Sequence, residues 1–218
     1  MTSFDKRYKS AIWADYKLPI TIVGLGGVGK GIAVNLALNG HSLEVYDGDT
    51  VELHNCIPQG YYPTQIGMKK TLALKQELDF YPNNVNYNGI YWEDYCDLNN
   101  NVIACPDKMN VRVDMFNEWI NKEHFNNSFF IDIRMLAEYF EIYFITSDNR
   151  HELEKEYRAK GLSDEEPAPV NCTFTQTRYV ANMCHGKVVE LINKHIVNVK
   201  TNIQVYDIPL YTRYDANI

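Results

Sequence analysis

Short β-branched runs alternate along this chain with stretches of helical period. Residues 19–23 (Pro-Ile-Thr-Ile-Val) are apolar almost throughout and lie between Pro19 and Gly24, the pattern of a strand buried on both faces. Behind them Ile32, Ala33, Leu36 and Ala37 recur at helical spacing and stop at Asn39-Gly40, which predicts a helix closed by glycine. A second strand is predicted over 42–47, ending on an acid, and 64–79 again carries helical periodicity, closed by Pro82. Strands follow at 85–92 and 101–104, a helix at 111–122, and two adjacent strands of hairpin type at 128–134 and 140–145. Residues 148–169 are polar and charged and read as a mobile crossover loop. A helix over 173–195 and a strand over 202–208 complete the set.

Strands alternating with helices make the fold class α/β: a Rossmann-like, doubly wound, mainly parallel sheet with an antiparallel C-terminal part. The expected organisation is one nucleotide-binding domain over 1–218. In such sheets the ligand sits beyond the carboxyl ends of the strands, and every motif below falls at such an end.

Composition narrows the function classes. With 218 residues, 45% of them hydrophobic, the chain can bury a full core. It has no apolar run near the roughly 20 residues of a membrane helix, and its charged N-terminus lacks the apolar centre of a signal peptide. The five cysteines (Cys56, Cys96, Cys105, Cys172, Cys184) are scattered without a CxxC pair, so neither a disulfide frame nor a zinc site is expected, and the compartment reads as a reducing cytoplasm. A net charge of −7 speaks against nucleic acid as the main partner.

Gly24, Gly26 and Gly29 form G-x-G-x-x-G between a strand and a helix. Glycine belongs there because the turn is tight and the backbone must approach phosphates closely. The following helix N-terminus offers free N–H groups and its positive dipole end. Asp47, about 20 residues on, sits where an acid accepts hydrogen bonds from ribose hydroxyls. NAD and ATP satisfy this pattern equally.

Further features separate them. The loop has a doubled glycine (Gly26-Gly27), and the second strand runs into Asp47-Gly48-Asp49-Thr50-Val51-Glu52, followed by Asn55 and Gln59. Then come Gly67 and Lys69-Lys70, then Asp107 with Arg112 five residues later, and Cys172 after the crossover. The set resembles the ThiF/MoeB-type adenylyltransferases, relatives of the ubiquitin-activating enzymes. Their pattern is GxGGxG, D-x-D-x-V-E-x-x-N-x-x-R-Q, G-x-x-K and D-x-x-x-x-R. The likeness runs from about Arg7 to Asp215.

That resemblance implies activation of a carboxylate by attack on the α-phosphate of ATP, with Mg²⁺ as the second cofactor. It implies the glycine loop (Gly24, Gly26, Gly27, Gly29) at the phosphates, Asp47 holding the ribose, and Asp49 and Gln59 among the other residues of the nucleotide site. Asn55 with Lys70 would face the triphosphate, Asp107 would hold the metal, and Cys172 would take over the activated acyl group. The substrate would be the C-terminal carboxylate of a small ubiquitin-like or sulfur-carrier-like protein or peptide, and the assembly a homodimer. Plainer roles compete: Asp47 and Asp49 can cap a turn, Lys69 or Lys70 can be a solvated helix lysine, and Asp107 can be an N-cap. Arg112 reads as one half of an ion pair, and a lone Cys172 can simply pack.

The chain departs from the pattern at Pro58 and Ser10, which stand where the family has phosphate-contacting arginines, and in lacking the family's zinc-binding cysteine pairs. Three readings are therefore carried: the adenylyltransferase, a degenerate non-catalytic partner subunit, and an NAD-dependent oxidoreductase. The last lacks a Ser/Tyr-x-x-x-Lys pair or His/Asp relay for hydride transfer. The minimal layout, with nothing after Ile218, fits a stand-alone protein of bacterial, archaeal or viral type.

Overall fold

A computed structural model describes residues 8–93, 96–123, 127–162 and 177–216. Its sheet has seven strands: β1 (Pro19–Val23), β2 (Ser42–Tyr46), β3 (Asn84–Asn88), β4 (Asn101–Ala104), β5 (Phe129–Leu136), β6 (Tyr139–Thr146) and β7 (Tyr211–Asp215). Their order is β3-β2-β1-β4-β5-β6-β7. The first five run parallel and β6 pairs antiparallel with both neighbours, so the Rossmann-like sheet with an antiparallel C-terminal part is the observed fold. The chain leaves β1 for β2 and β3 on one side and returns to β4 on the other. The carboxyl ends of β1 and β4 therefore form the crevice where such sheets take ligands.

Strand alternation sorts the core into two layers. Ile20, Ile22, Ile103, Phe129, Ile131, Ile142 and Phe144 face α1 (Gly29–Leu38), α3 (Lys70–Leu78) and α6 (Arg178–Thr201). Val23, Val102, Ala104, Phe130, Tyr143 and Ile145 face α4 (Met109–Asn121) and α5 (Arg150–Lys160). Each fully buried Ile or Phe contributes on the order of 1.5–3 kcal/mol. A four-residue helix, α2 (Cys56–Gln59), lies between β2 and α3. No helix among the described residues is long and apolar enough to cross a membrane.

Several elements differ from their expected bounds. The helix expected from 64 begins at Lys70, because Gly67 adopts φ +84° and Thr50 bridges Lys69 across a short antiparallel ladder. β3 ends at Asn88 rather than 92, and Tyr91 and Trp92 turn back over the sheet edge toward Gly48 and the α4-side core. Within 148–169, residues Arg150–Lys160 are helix where a loop was expected. Its polar sequence hides a single buried anchor, Tyr157, and the i,i+4 pairs Glu154–Arg158 and Glu156–Lys160; residues 163–169 lie outside the described residues. The last helix spans 178–201. Residues 202–208, expected as a strand, are irregular: Asn202 is left-handed, and the Asn198 side chain accepts from the amides of Val205 and Tyr206. The strand comes later, as β7.

His41, just after the glycine that ends α1, accepts a hydrogen bond from the Leu18 amide on Nδ1 at 3.1 Å and is 2% exposed. Burial, reinforced by the facing Lys17 ammonium, pushes its pKa down to about 4. Its folded pKa lies below the unfolded one, so its contribution is complete above about pH 6.5 and is lost as pH falls toward 4. Burial lowers His185 and His195 likewise. Urea titrations are expected to show stability falling with acid across this window, with His41 adding a slope of up to about 1.4 kcal/mol per pH unit. His41→Asn, which keeps an acceptor, should flatten the slope; an unchanged slope would refute the assignment.

Candidate functional site

The glycine loop closes at the end of β1. Gly24 has φ +90°, and a Cβ there would lie 2.5 Å from the Cys105 carbonyl oxygen. At Gly29 a Cβ would fall 1.9 Å from the carbonyl oxygen of Gly24. Only glycine lets the strand turn this tightly into α1. Gly26 has open space at its Cβ position and faces the cleft.

Three side chains from distant parts of the chain grip the loop. Asp47, at the end of β2, accepts from the Leu25 amide at 2.6 Å on one oxygen and from the Asp49 amide at 2.8 Å on the other. Tyr61 donates its buried hydroxyl to the Leu25 carbonyl at 2.7 Å. His185 on α6 donates from Nε2 to the Gly27 carbonyl at 2.8 Å, and its ring fills the space beside Gly31. Lys30, directly after the loop, points away from the cleft: it donates to the Gly60 carbonyl at 2.7 Å, pairs with Glu77 at 2.7 Å and lies over the Tyr61 ring.

The loop floors a cleft of about 770 Å³ at the carboxyl ends of β1, β2 and β4. Gly24, Gly26, Asp47, Asp49, Asn55, Gln59, Lys70 and Asp107 all line it, so it gathers most of the residues singled out in the sequence. Gly27 and Gly29 stand behind the wall, one bound by His185 and one inside the turn. Cys172 lies outside the described residues.

A short ladder brings Lys70 back onto the carboxylates. Val51 donates to the Met68 carbonyl, Gly67 to that of Val51 and Lys70 to that of Asp49, each through its amide. The Lys70 ammonium then sits 2.8 Å from Asp49 and 4.0 Å from Asp47. Lys69 instead donates to the Gly48 carbonyl. Burial raises the pKa of Asp47 against the pull of Lys70 and the two amides. For Asp49, partial burial acts upward, but the hydrogen bonds from Lys70 and Tyr91 prevail and hold its carboxyl below the usual range. Asn55 is buried and accepts from the Glu52 amide at 2.9 Å, which fixes the turn leading into α2. Pro58 sits in α2 between the cleft-lining Asn55 and Gln59.

Asp107 follows β4 in the Cys105–Pro106–Asp107 turn, is exposed on the cleft, and is bound by no other described residue. The turn is anchored from below. Arg112 donates to the Pro106 carbonyl and to that of Ile133, and pairs with Asp132 on β5, all in the buried interior. Arg112 is therefore a structural residue. Burial pushes the Cys105 thiol up to about 12, so it is a packed thiol and not a nucleophile.

Five carboxylates (Asp47, Asp49, Glu52, Glu93, Asp107) and two lysines (Lys70, Lys108) line the cleft, without an arginine among the described residues. A polyphosphate here needs additional positive charge. The described residues hold no cluster of three metal-ligating side chains. A lone exposed carboxylate does fit magnesium, which takes most of its ligands from phosphate oxygens and water. Sequence reasoning missed Tyr61, Tyr91 and His185, because none has a spacing that signals the loop.

A model of the ThiF family matches residues 16–216. No curated protein matches the chain by sequence. Among solved structures the fold is similar to E. coli MccB, with a TM-score of 0.68 and 13% identity over 95% of this chain and 61% of that one. It is also similar to PaaA, with a TM-score of 0.64 and 17% identity over 91% and 61%. The microcin C7 biosynthetic enzyme MccB in complex with N-formylated MccA gives 0.57 and 16% over 82% and 56%. At these identities the likeness is one of fold, and the chain spans about three fifths of the length of MccB and PaaA.

Proposed function

The chain belongs to the ThiF family, and from that membership we propose that it is an ATP-dependent adenylyltransferase acting on a C-terminal carboxylate. The cleft carries this reading: a gripped glycine loop for phosphate, carboxylates at the ribose position, and Asp107 free on the opposite wall. MccB has been solved with ATP and with N-formylated MccA, which supports a nucleotide and an acceptor meeting on this fold. The substrate proposed is a small ubiquitin-like or sulfur-carrier-like protein, or a peptide, in a homodimeric assembly.

In this reaction a carboxylate oxygen of the substrate bonds to the α-phosphorus, the bond to the bridging oxygen breaks, and pyrophosphate leaves. Little covalent work falls to the protein, which positions the reactants and stabilises charge. The free amides at the start of α1 and the open approach at Gly26 receive phosphate oxygens. Asp49, half exposed where Asp47 is buried, presents a carboxylate to the ribose. Lys70, held by Asp49, supplies a fixed cation. Asp107 is the residue that would hold magnesium, whose charge would offset that of the phosphates. The Cys172 thiolate would attack the acyl carbon of the adenylate, form a thioester and release AMP.

A cleft without an arginine among its described residues also favours a second reading, a nucleotide-binding but inactive subunit whose partner supplies the missing cations. Calorimetry separates the readings. Magnesium-dependent ATP binding without NAD binding is expected, together with ATP–pyrophosphate exchange once a substrate tail is present. Binding without exchange under any tail would favour the inactive subunit, and NAD binding without ATP would overturn both.

A further inference from the structure

Tyr91 is absent from the family pattern and stands beside the ribose acid. Its hydroxyl donates to Asp49 Oδ1 at 2.6 Å. A Cβ on Gly48 would lie within 2.6–2.7 Å of its ring carbons, so that glycine lets the ring pack directly on the backbone following Asp47. The ring is thus fixed at both ends, yet the residue is 62% exposed and lines the cleft. An exposed aromatic side chain ordinarily keeps its rotamer freedom; one pinned to a ligand-facing carboxylate has already given it up. Such a ring is a stacking platform, because every nucleobase has a π-face. The neighbouring wall is apolar and tight, with Trp92, Tyr46 and Val23 buried against α4.

We infer that Tyr91 stacks on the base of the bound nucleotide and, through its bond to Asp49, ties base recognition to ribose recognition. This rests on the nucleotide reading of the cleft. Tyr91 is a binding residue here and touches none of the reacting atoms. Stacking reads faces rather than edges, so it provides affinity without selecting one base.

Calorimetry with ATP and with inorganic tripolyphosphate, both with magnesium, tests this on the wild type, Tyr91→Phe and Tyr91→Ala. Tyr91→Ala is expected to weaken ATP about tenfold or more and to leave tripolyphosphate within about twofold, since the loop amides are untouched. Tyr91→Phe keeps the platform and should stay within about threefold of wild type for ATP. Equal affinity of wild type and Tyr91→Ala for ATP overturns the stacking role and leaves the nucleotide site standing. Equal losses for ATP and tripolyphosphate in Tyr91→Ala overturn it too, by pointing to a general disturbance of the cleft. A wild type that binds no ATP brings down the adenylation reading itself.

Discussion

Asp107→Ala is expected to lower ATP–pyrophosphate exchange by roughly 10²–10³-fold, the range found when one preorganised charge-stabilising group is removed, while changing stability by no more than about 0.5 kcal/mol. The asymmetry follows from its setting. Asp107 is exposed and bound by no described residue, so the fold loses little with it. The cleft, in contrast, sets five carboxylates against two lysines, and one of those lysines is already paired with Asp49. On the proposed reading a metal would offset that charge, and Asp107, an exposed carboxylate bound by no described residue, would recruit it. Asp107→Asn should behave similarly, because an amide lacks the charge though it keeps an oxygen. Exchange that survived in both variants, at unchanged magnesium dependence, would remove Asp107 from the mechanism.

Arg112→Ala should cost about 3–5 kcal/mol of stability, a large part of the 5–15 kcal/mol typical of a domain. Asp132 is fully buried and shares its oxygens among Arg112, the Tyr157 hydroxyl at 3.1 Å and Arg134 at 3.4 Å. Removing the guanidinium strands a carboxylate in the interior and leaves the Pro106 and Ile133 carbonyls without their donor. Adding Asp132→Asn to Arg112→Met should restore more than half of the loss, since the stranded charge is then gone. Urea denaturation of the single and double variants decides it. A loss below about 1 kcal/mol for Arg112→Ala would show that the pair is not what holds this turn.

These two residues mark what the sequence could and could not reveal. The glycine loop and Asp47 were legible because their chemistry is local: a strand, a turn and a helix within about twenty residues, then an acid at the next strand end. Lys70 and Asp107 were legible only as parts of an ordered set of spacings. The Arg112 ion pair was anticipated, but its partner 20 residues on was not. Tyr61 and His185 grip the loop from 36 and 158 residues away, and no periodicity encodes such a contact. α5 hid because a helix that buries only Tyr157 leaves no apolar stripe to read. Residues 202–208 misled for the opposite reason. Ile203 and Val205 alternate as on one face of a strand, yet the Asn198 side chain holds the amides of Val205 and Tyr206, and both Ile203 and Val205 face solvent.

The bond from His185 to the Gly27 carbonyl has a consequence for the order in which the molecule is built. The loop and its first strand are synthesised early, but their brace arrives 158 residues later, on the long C-terminal helix. Contacts of such separation form late, after much chain entropy has been spent. An emerging chain can therefore complete β1, α1 and β2 with Asp47 already on the glycine loop and still lack the brace at Gly27. The last of the three braces closes only when α6 docks, so until then the loop is held from its own half of the chain, by Asp47 and Tyr61.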